Sequence, residues 1–143
     1  MDVMAERGFD REVLRILCSA DGARSAEDIA KVVGRPTAAV RAAAVRLTSR
    51  GMLRETVAFA LTADGHKLIG APERRRERTR PQVRHMSDLR HGARTIVELV
   101  GGRERGATTG AQRCLGTLEG LGYVCRVTAW QPTMAGRWEV INT

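Results

Sequence analysis

The strongest constraint on this chain is a spacing that occurs twice. Val40, Ala44, Leu47 and Gly51 are followed by Met52 and Leu53, and Ala111, Leu115, Leu118 and Gly122 are followed by Tyr123 and Val124. Each residue of the second set lies 71 positions after its partner in the first. Intervals of four, three and four put small and apolar side chains on one face of a helix. The glycine supplies a helix stop, because a left-handed residue is needed there and glycine adopts it without strain. The apolar residues that follow start a strand. The spacing therefore predicts two copies of one unit, with residues 40–53 matching 111–124 and residues 111–122 forming a helix that leads into a hairpin.

The elements around the repeat follow from local signals. Residues 10–20 read as a helix with an apolar stripe of Val13, Leu14, Ile16, Leu17 and Cys18, capped by Asp10 and ended by Asp21-Gly22. Ser25 and Asp28 form a capping-box pattern ahead of Ile29, Ala30 and Val33, and Gly34 closes that helix. Arg35-Pro36 is a tight turn into a third helix over 36–50. Leu53 to Leu61 reads as a short hairpin, and Leu61-Thr62-Ala63-Asp64-Gly65 leads into a helical segment at 66–69. Ser87 and Asp88 cap a helix through about Val100, broken by Gly101-Gly102, and Thr108 or Thr109 caps another that runs to Leu121. Residues 123–130 and 137–141 read as two strands joined by a hairpin loop over 131–136. The 88–100 helix is either the first helix of a shortened second domain, or its second with the first drawn from the preceding segment.

That preceding segment, residues 71–86, has its own composition. It holds six arginines and two glutamates, a net +4 out of the chain's +8, and Pro72 and Pro81 bracket its arginine-rich part. It reads as a basic linker, helical in part between the prolines. The expected organisation is a domain over 1–70, the linker over 71–86 and a second, shorter domain over 87–143. The fold class is mostly α with small β-hairpin wings (α+β). Each domain is so small that it buries a core with little margin. The two must lean on each other or on a second chain, and a homodimer is one such arrangement.

Composition narrows the function. A net charge of +8 suits a polyanionic partner. Lys31 and Lys67 are the only lysines, so nearly all the positive charge is arginine, which forks onto phosphate and guanine edges as lysine cannot. Codon bias accounts for the ratio of arginine to lysine, but not for the net charge. The N-terminus is charged from Asp2 to Arg11, with no apolar stretch of a leader, and no run approaches the roughly 20 residues of a membrane span. Cys18, Cys114 and Cys125 fit no metal spacing and read as buried free thiols of a reducing cytosol. His66, His85 and His91 read as surface residues. No catalytic residue, cofactor or metal is expected: the chain lacks a paired-carboxylate motif, a His-Cys cluster, a glycine-rich phosphate loop and a Ser-His-Asp grouping.

Residues 10–70 resemble the winged helix-turn-helix domains of bacterial transcriptional regulators. Ser25-Ala-Glu-Asp-Ile-Ala-Lys-Val-Val-Gly34 looks like their second helix, Thr37 to Leu53 like the recognition helix and first wing strand, and Leu61-Thr62-Ala63-Asp64-Gly65 like the segment after the wing. The second half resembles a degenerate copy. The resemblance implies a double-stranded DNA-binding regulator, of host or phage origin, in the cytoplasm on the nucleoid. In such domains the N-terminal half of the recognition helix faces the bases. That carries over to Arg35, Thr37, Ala38, Arg41, Ala42 and Arg46 in the first copy, and to Thr108, Thr109, Gln112, Arg113 and Thr117 in the second. Arg41 and Arg113 suit guanine, Gln112 suits adenine, and Arg35 and Thr37 suit phosphate. Arg137, at the tip of the second wing, would enter a minor groove or bind phosphate. Arg74, Arg75 and Arg76 would lie along the backbone. The competing expectation is a winged-helix protein-interaction module in a nucleoprotein assembly; an enzyme such as a nuclease ranks last.

Overall fold

The computed structural model describes residues 3–20, 22–101 and 107–142. The chain is mostly helical, with a small three-stranded antiparallel sheet among the described residues, and so is α+β. It divides into two compact units. Unit 1 is Met1–Thr56 with Thr128–Thr143, and unit 2 is Val57–Val127. This differs from a division into 1–70, 71–86 and 87–143: the first unit takes its last strand residues and last helix from the C-terminus.

Unit 1 begins with α1, Val3–Ser19. It starts well before Asp10, which is therefore no cap but a buried residue in the middle of the helix. A two-residue strand, β1 (Arg24–Ser25), leads into α2 (Ala26–Val33). Ser25 caps α2, its hydroxyl accepting the Asp28 N–H at 3.2 Å. Then comes α3 (Thr37–Ser49), which buries Val40, Ala43, Ala44 and Leu47. These pack with Phe9, Val13, Leu14, Leu17, Ile29, Leu53 and Trp130 as one core.

The strand after α3 is not a hairpin. β2 is a single strand, Leu53–Leu61, that starts in unit 1 and ends in unit 2. The reason is in its sequence: Leu-Arg-Glu-Thr-Val-Ala-Phe-Ala-Leu has no glycine, asparagine or aspartate to take the positive φ of a tight hairpin turn. The same holds for β3, Val124–Pro132, which starts in unit 2 and ends in unit 1. The expected second hairpin over 123–141 is replaced by this strand and a helix, α9, Met134–Ile141. The sheet order is β1-β3-β2, with Arg24 opposite Trp130 and Ser25 opposite Ala129.

In unit 2, β2 runs into α4 (Ala63–Ile69), then α5 (Pro72–Arg75), α6 (Arg80–Asp88), α7 (Ile96–Val100) and α8 (Ala107–Gly120). The basic segment is thus a short helix and most of a longer one, not a spacer: His85 and Met86 of α6 are buried, against the expected surface placement of His85. Ser87 and Asp88 end α6 instead of opening a helix. The cap of α7 is Thr95, which forms a full capping box with Glu98. The 88–100 segment is not one helix: it holds the last residue of α6, which is drawn from the basic segment, and the whole of α7. Thr108 and Thr109 lie inside α8, not at its cap. Asp21 and the residues 102–106, including Gly102 of the expected helix break, lie outside the described residues. A second core joins Phe59, Leu61, Leu68, Ile69, Met86, Leu89, Leu99, Leu115, Leu118 and Val124.

The 71-residue repeat holds in atomic detail within each unit. Gly51 and Gly122 both take positive φ, 77° and 84°. In unit 1 the Thr133 hydroxyl donates to the Gly51 carbonyl at 2.6 Å and the Thr133 N–H to Met52 at 3.0 Å. In unit 2 the Thr62 hydroxyl donates to Gly122 at 2.6 Å and its N–H to Tyr123 at 3.1 Å. Phe59, 71 positions before Trp130, exchanges both backbone hydrogen bonds with Arg94, at 2.8 and 2.9 Å. Each helix-strand junction is therefore locked by a threonine from the far end of the opposite strand.

Candidate nucleic-acid interface

In unit 1, the left-handed Gly34 ends α2, and Arg35-Pro36 turns the chain into α3. The buried positions of α3 leave Ala38, Arg41, Ala42 and Val45 exposed. Arg35 is exposed, with its guanidinium over the Phe9 ring at 4.6 Å, and Thr37 is half-buried at the first turn. Arg41 pairs with Glu27 at 3.2 Å, and both side chains are 54 % exposed. A pair this wet is worth at most ~1 kcal/mol and yields readily to a stronger acceptor. Arg35, Thr37 and Arg41 thus share the start of one helix.

Arg46 does not join them. Its guanidinium is engaged by α1, with Nε to Asp10 at 3.1 Å and Nη2 to Asp10 at 2.7 Å, and Glu6 lies at 3.5 Å. The hydrogen bonds to Asp10 hold its pKa above the ordinary arginine value, so it is permanently charged. A two-pronged pair with a carboxylate only 5 % exposed is a structural clamp between α1 and α3. Asp10→Ala should therefore destabilise the protein by about 1.5–3 kcal/mol in urea unfolding, while leaving any base preference on duplex DNA unchanged.

In unit 2, α8 buries Ala111, Leu115 and Leu118 and exposes Thr108, Thr109, Gln112, Arg113 and Thr117. The Thr117 hydroxyl donates to the Arg113 carbonyl of its own helix at 3.1 Å. Thr109, Gln112 and Arg113 share one exposed face, and their side chains have no partner among the described residues. Arg74 and Arg76 are exposed and Arg75 half-buried, on or just after α5. Arg137 is exposed but sits on α9, not at a wing tip, because α9 takes the place of the second strand of the expected hairpin.

The cysteines are free and half-buried, not buried. Burial pushes the Cys18 and Cys114 thiols up, an effect that Arg137 and Arg84 partly offset. Among the described residues no group of three His, Cys, Asp or Glu side chains is placed to hold a metal, and no helix is long and apolar enough to cross a membrane. Comparison with known protein families, with curated proteins and with solved structures finds no match. The site rests on its own chemistry. That chemistry is two exposed helix faces at matching repeat positions, one carrying arginine among small residues and the other threonine, glutamine and arginine.

Proposed function

We propose that the chain is a sequence-specific double-stranded DNA-binding regulator that reads base edges with α3 and α8. One observation carries this: the repeat brings two solvent-facing helices to the same place in two similar units. Each bears hydrogen-bonding side chains in its N-terminal half, on a chain of net charge +8. Three consecutive helices, α1 to α3 in unit 1 and α6 to α8 in unit 2, are each followed by a strand, β2 and β3 in turn, a winged-helix-like order in which the second wing strand comes from the other half of the sequence. Arg35, Thr37, Arg41, Thr109, Gln112 and Arg113 are the proposed contacts, with Arg74, Arg75 and Arg76 on phosphate. The regulator would act in the cytoplasm, on the nucleoid.

The test is a titration on random and genomic duplexes at several salt concentrations. A steep fall of affinity with salt and a preferred sequence support the reading; salt-insensitive, sequence-blind binding overturns it. Replacing Arg74, Arg75 and Arg76 with glutamine should weaken binding to all duplexes alike. It should flatten the slope of log affinity against log salt by up to ~0.9 for each phosphate no longer neutralised, roughly two to three units if all three arginines touch phosphate. Base preference should survive, because phosphate contacts position without reading.

A second reading, a protein-interaction module in a nucleoprotein assembly, is favoured by α9. Met134, Trp138 and Ile141 stand 73, 59 and 75 % exposed at helical spacing. The matching positions of α4 are Ala63, Lys67 and Gly70. The fold does not require an apolar face there, and the salt titration separates the two readings.

A further inference from the structure

Within unit 1 a cavity of about 210 Å³ opens beside α1, the C-terminal end of α3 and α9. Its floor is apolar: Leu14 and Leu47 are buried, and Met52 and Val140 are half-buried. Its rim carries Arg7, Arg11 and Arg50, all exposed, and a single acid, Glu139. Three cations against one anion leave the rim at net +2 (three minus one). Among the described residues none of these arginines forms an ion pair. Clustered guanidinium groups around an apolar hollow are unfavourable in isolation and are relieved by a bound anion.

The repeat supplies an internal comparison. At the 71-residue offset, Arg50 corresponds to Leu121, Glu139 to Leu68, Val140 to Ile69 and Leu47 to Leu118. In unit 2, Leu68, Ile69 and Leu118 are buried in the core. Unit 2 thus has leucines where unit 1 has Arg50 and Glu139, with Leu68 buried and Leu121 47 % exposed, so the repeat does not demand a charge at either position.

We infer that this cavity is a binding site for a small carboxylate with a short apolar body. Arginine takes a carboxylate with two parallel hydrogen bonds, and the floor takes the hydrocarbon. A volume below the roughly 300–1,000 Å³ of drug-sized pockets rules against a nucleotide. The concave apolar floor also favours a small amphipathic anion over a phosphate of a convex duplex. The site is independent of the DNA-binding reading.

Calorimetric titration of the full chain with hexanoate and benzoate should show saturable binding, against acetate and inorganic phosphate as anions without a body. Two variants test the assignment. Arg50→Leu with Glu139→Leu copies the residues of the other repeat and should weaken hexanoate binding by about tenfold or more, as should Arg7→Gln with Arg11→Gln on the exposed rim. Absence of saturation, or binding that neither variant weakens, overturns the site. Phosphate or acetate binding as tightly as hexanoate overturns the choice of ligand, because the floor would then contribute nothing. If Arg7→Gln with Arg11→Gln flattens the salt dependence of duplex binding and hexanoate never saturates, the arginines serve a DNA backbone and the inference fails.

Discussion

Gly136→Ala and Gly65→Ala are each expected to cost about 3 kcal/mol or more of stability, at or beyond the upper end for overpacked sites. A Cβ at Gly136 would strike the Met52 carbonyl oxygen, with the Met52 carbonyl carbon at 3.1 Å and Leu14 Cδ1 at 3.2 Å behind it. A Cβ at Gly65 would strike the Tyr123 carbonyl in the same way, with Leu61 Cδ2 at 3.2 Å. Neither carbonyl can yield cheaply. Met52 accepts the Thr133 N–H at 3.0 Å and Tyr123 accepts the Thr62 N–H at 3.1 Å. Nor can the glycines retreat, since their own N–H groups donate to the capping hydroxyls of Thr133 and Thr62, each at 3.1 Å. Relief must break either the cap or the strand junction. Gly120→Ala is the control: it lies in α8 with nothing within 4 Å of the added carbon, and should be neutral or stabilise by up to ~1 kcal/mol. Urea unfolding of the three variants decides the matter. A Gly136→Ala protein within about 0.5 kcal/mol of the wild type, the range of ordinary surface changes, would mean the junction is not tight.

These two glycines also mark what the sequence holds and where its local signals mislead. Thr62-Ala-Asp-Gly65 and Thr133-Met-Ala-Gly136 are the same capped helix start, 71 residues apart. Only the first stands beside a familiar pattern. The second, with Pro132 before it and Gly136 within it, passes for a hairpin loop. The local signals with a backbone mechanism are legible: the Ser25 cap, the α2–α3 turn and the left-handed Gly51 and Gly122. Thr95-Ile-Val-Glu98 is equally readable as a capping box, but the apolar residues Ile96, Val97, Leu99 and Val100 invite a longer helix beginning at Ser87. What is not legible is pairing at a distance. Nothing local tells Leu53–Leu61 that its partner strand lies in the other half of the chain.

The candidate site divides along the same line. The outward positions of α3 and α8 follow from the buried spacing, so Arg41, Gln112 and Arg113 are found from sequence and are exposed. Arg46 has the same helical credentials, yet Asp10, 36 positions earlier, claims it. Only the early start of α1 at Val3 makes Asp10 a buried mid-helix acceptor instead of a cap. Arg7, Arg11 and Arg50 carry no motif at all, and three-dimensional packing alone gathers them around one hollow.

The two proposed reading faces are expected to select different sequences, so the preferred site should be non-palindromic. The repeat fixes the correspondence: Ala38, Arg41 and Ala42 match Thr109, Gln112 and Arg113 at the 71-residue offset. Arginine at a base-facing slot takes guanine N7 and O6, whereas glutamine takes adenine N6 and N7, each discriminating by about 1–3 kcal/mol. One half-site should therefore carry guanine where the other carries adenine. Arg41→Ala should lower affinity for the selected duplex by roughly 1–3 kcal/mol and relax one position, and Gln112→Ala should do the same in the other half. Because the two lie in separate units, the losses should add within about 0.5 kcal/mol. Arg41→Gln should shift its position from guanine toward adenine, a change that simple loss of charge does not produce. Stability should barely move, since the exposed pair of Arg41 with Glu27 contributes at most ~1 kcal/mol. Selection from a random duplex pool, followed by titration of each variant on the selected site, measures all of this. A palindromic consensus would overturn the two unlike half-sites, and a consensus indifferent to Arg41→Ala in a folded protein would remove α3 as a reader and leave the apolar stripe of α9 as the surface to pursue.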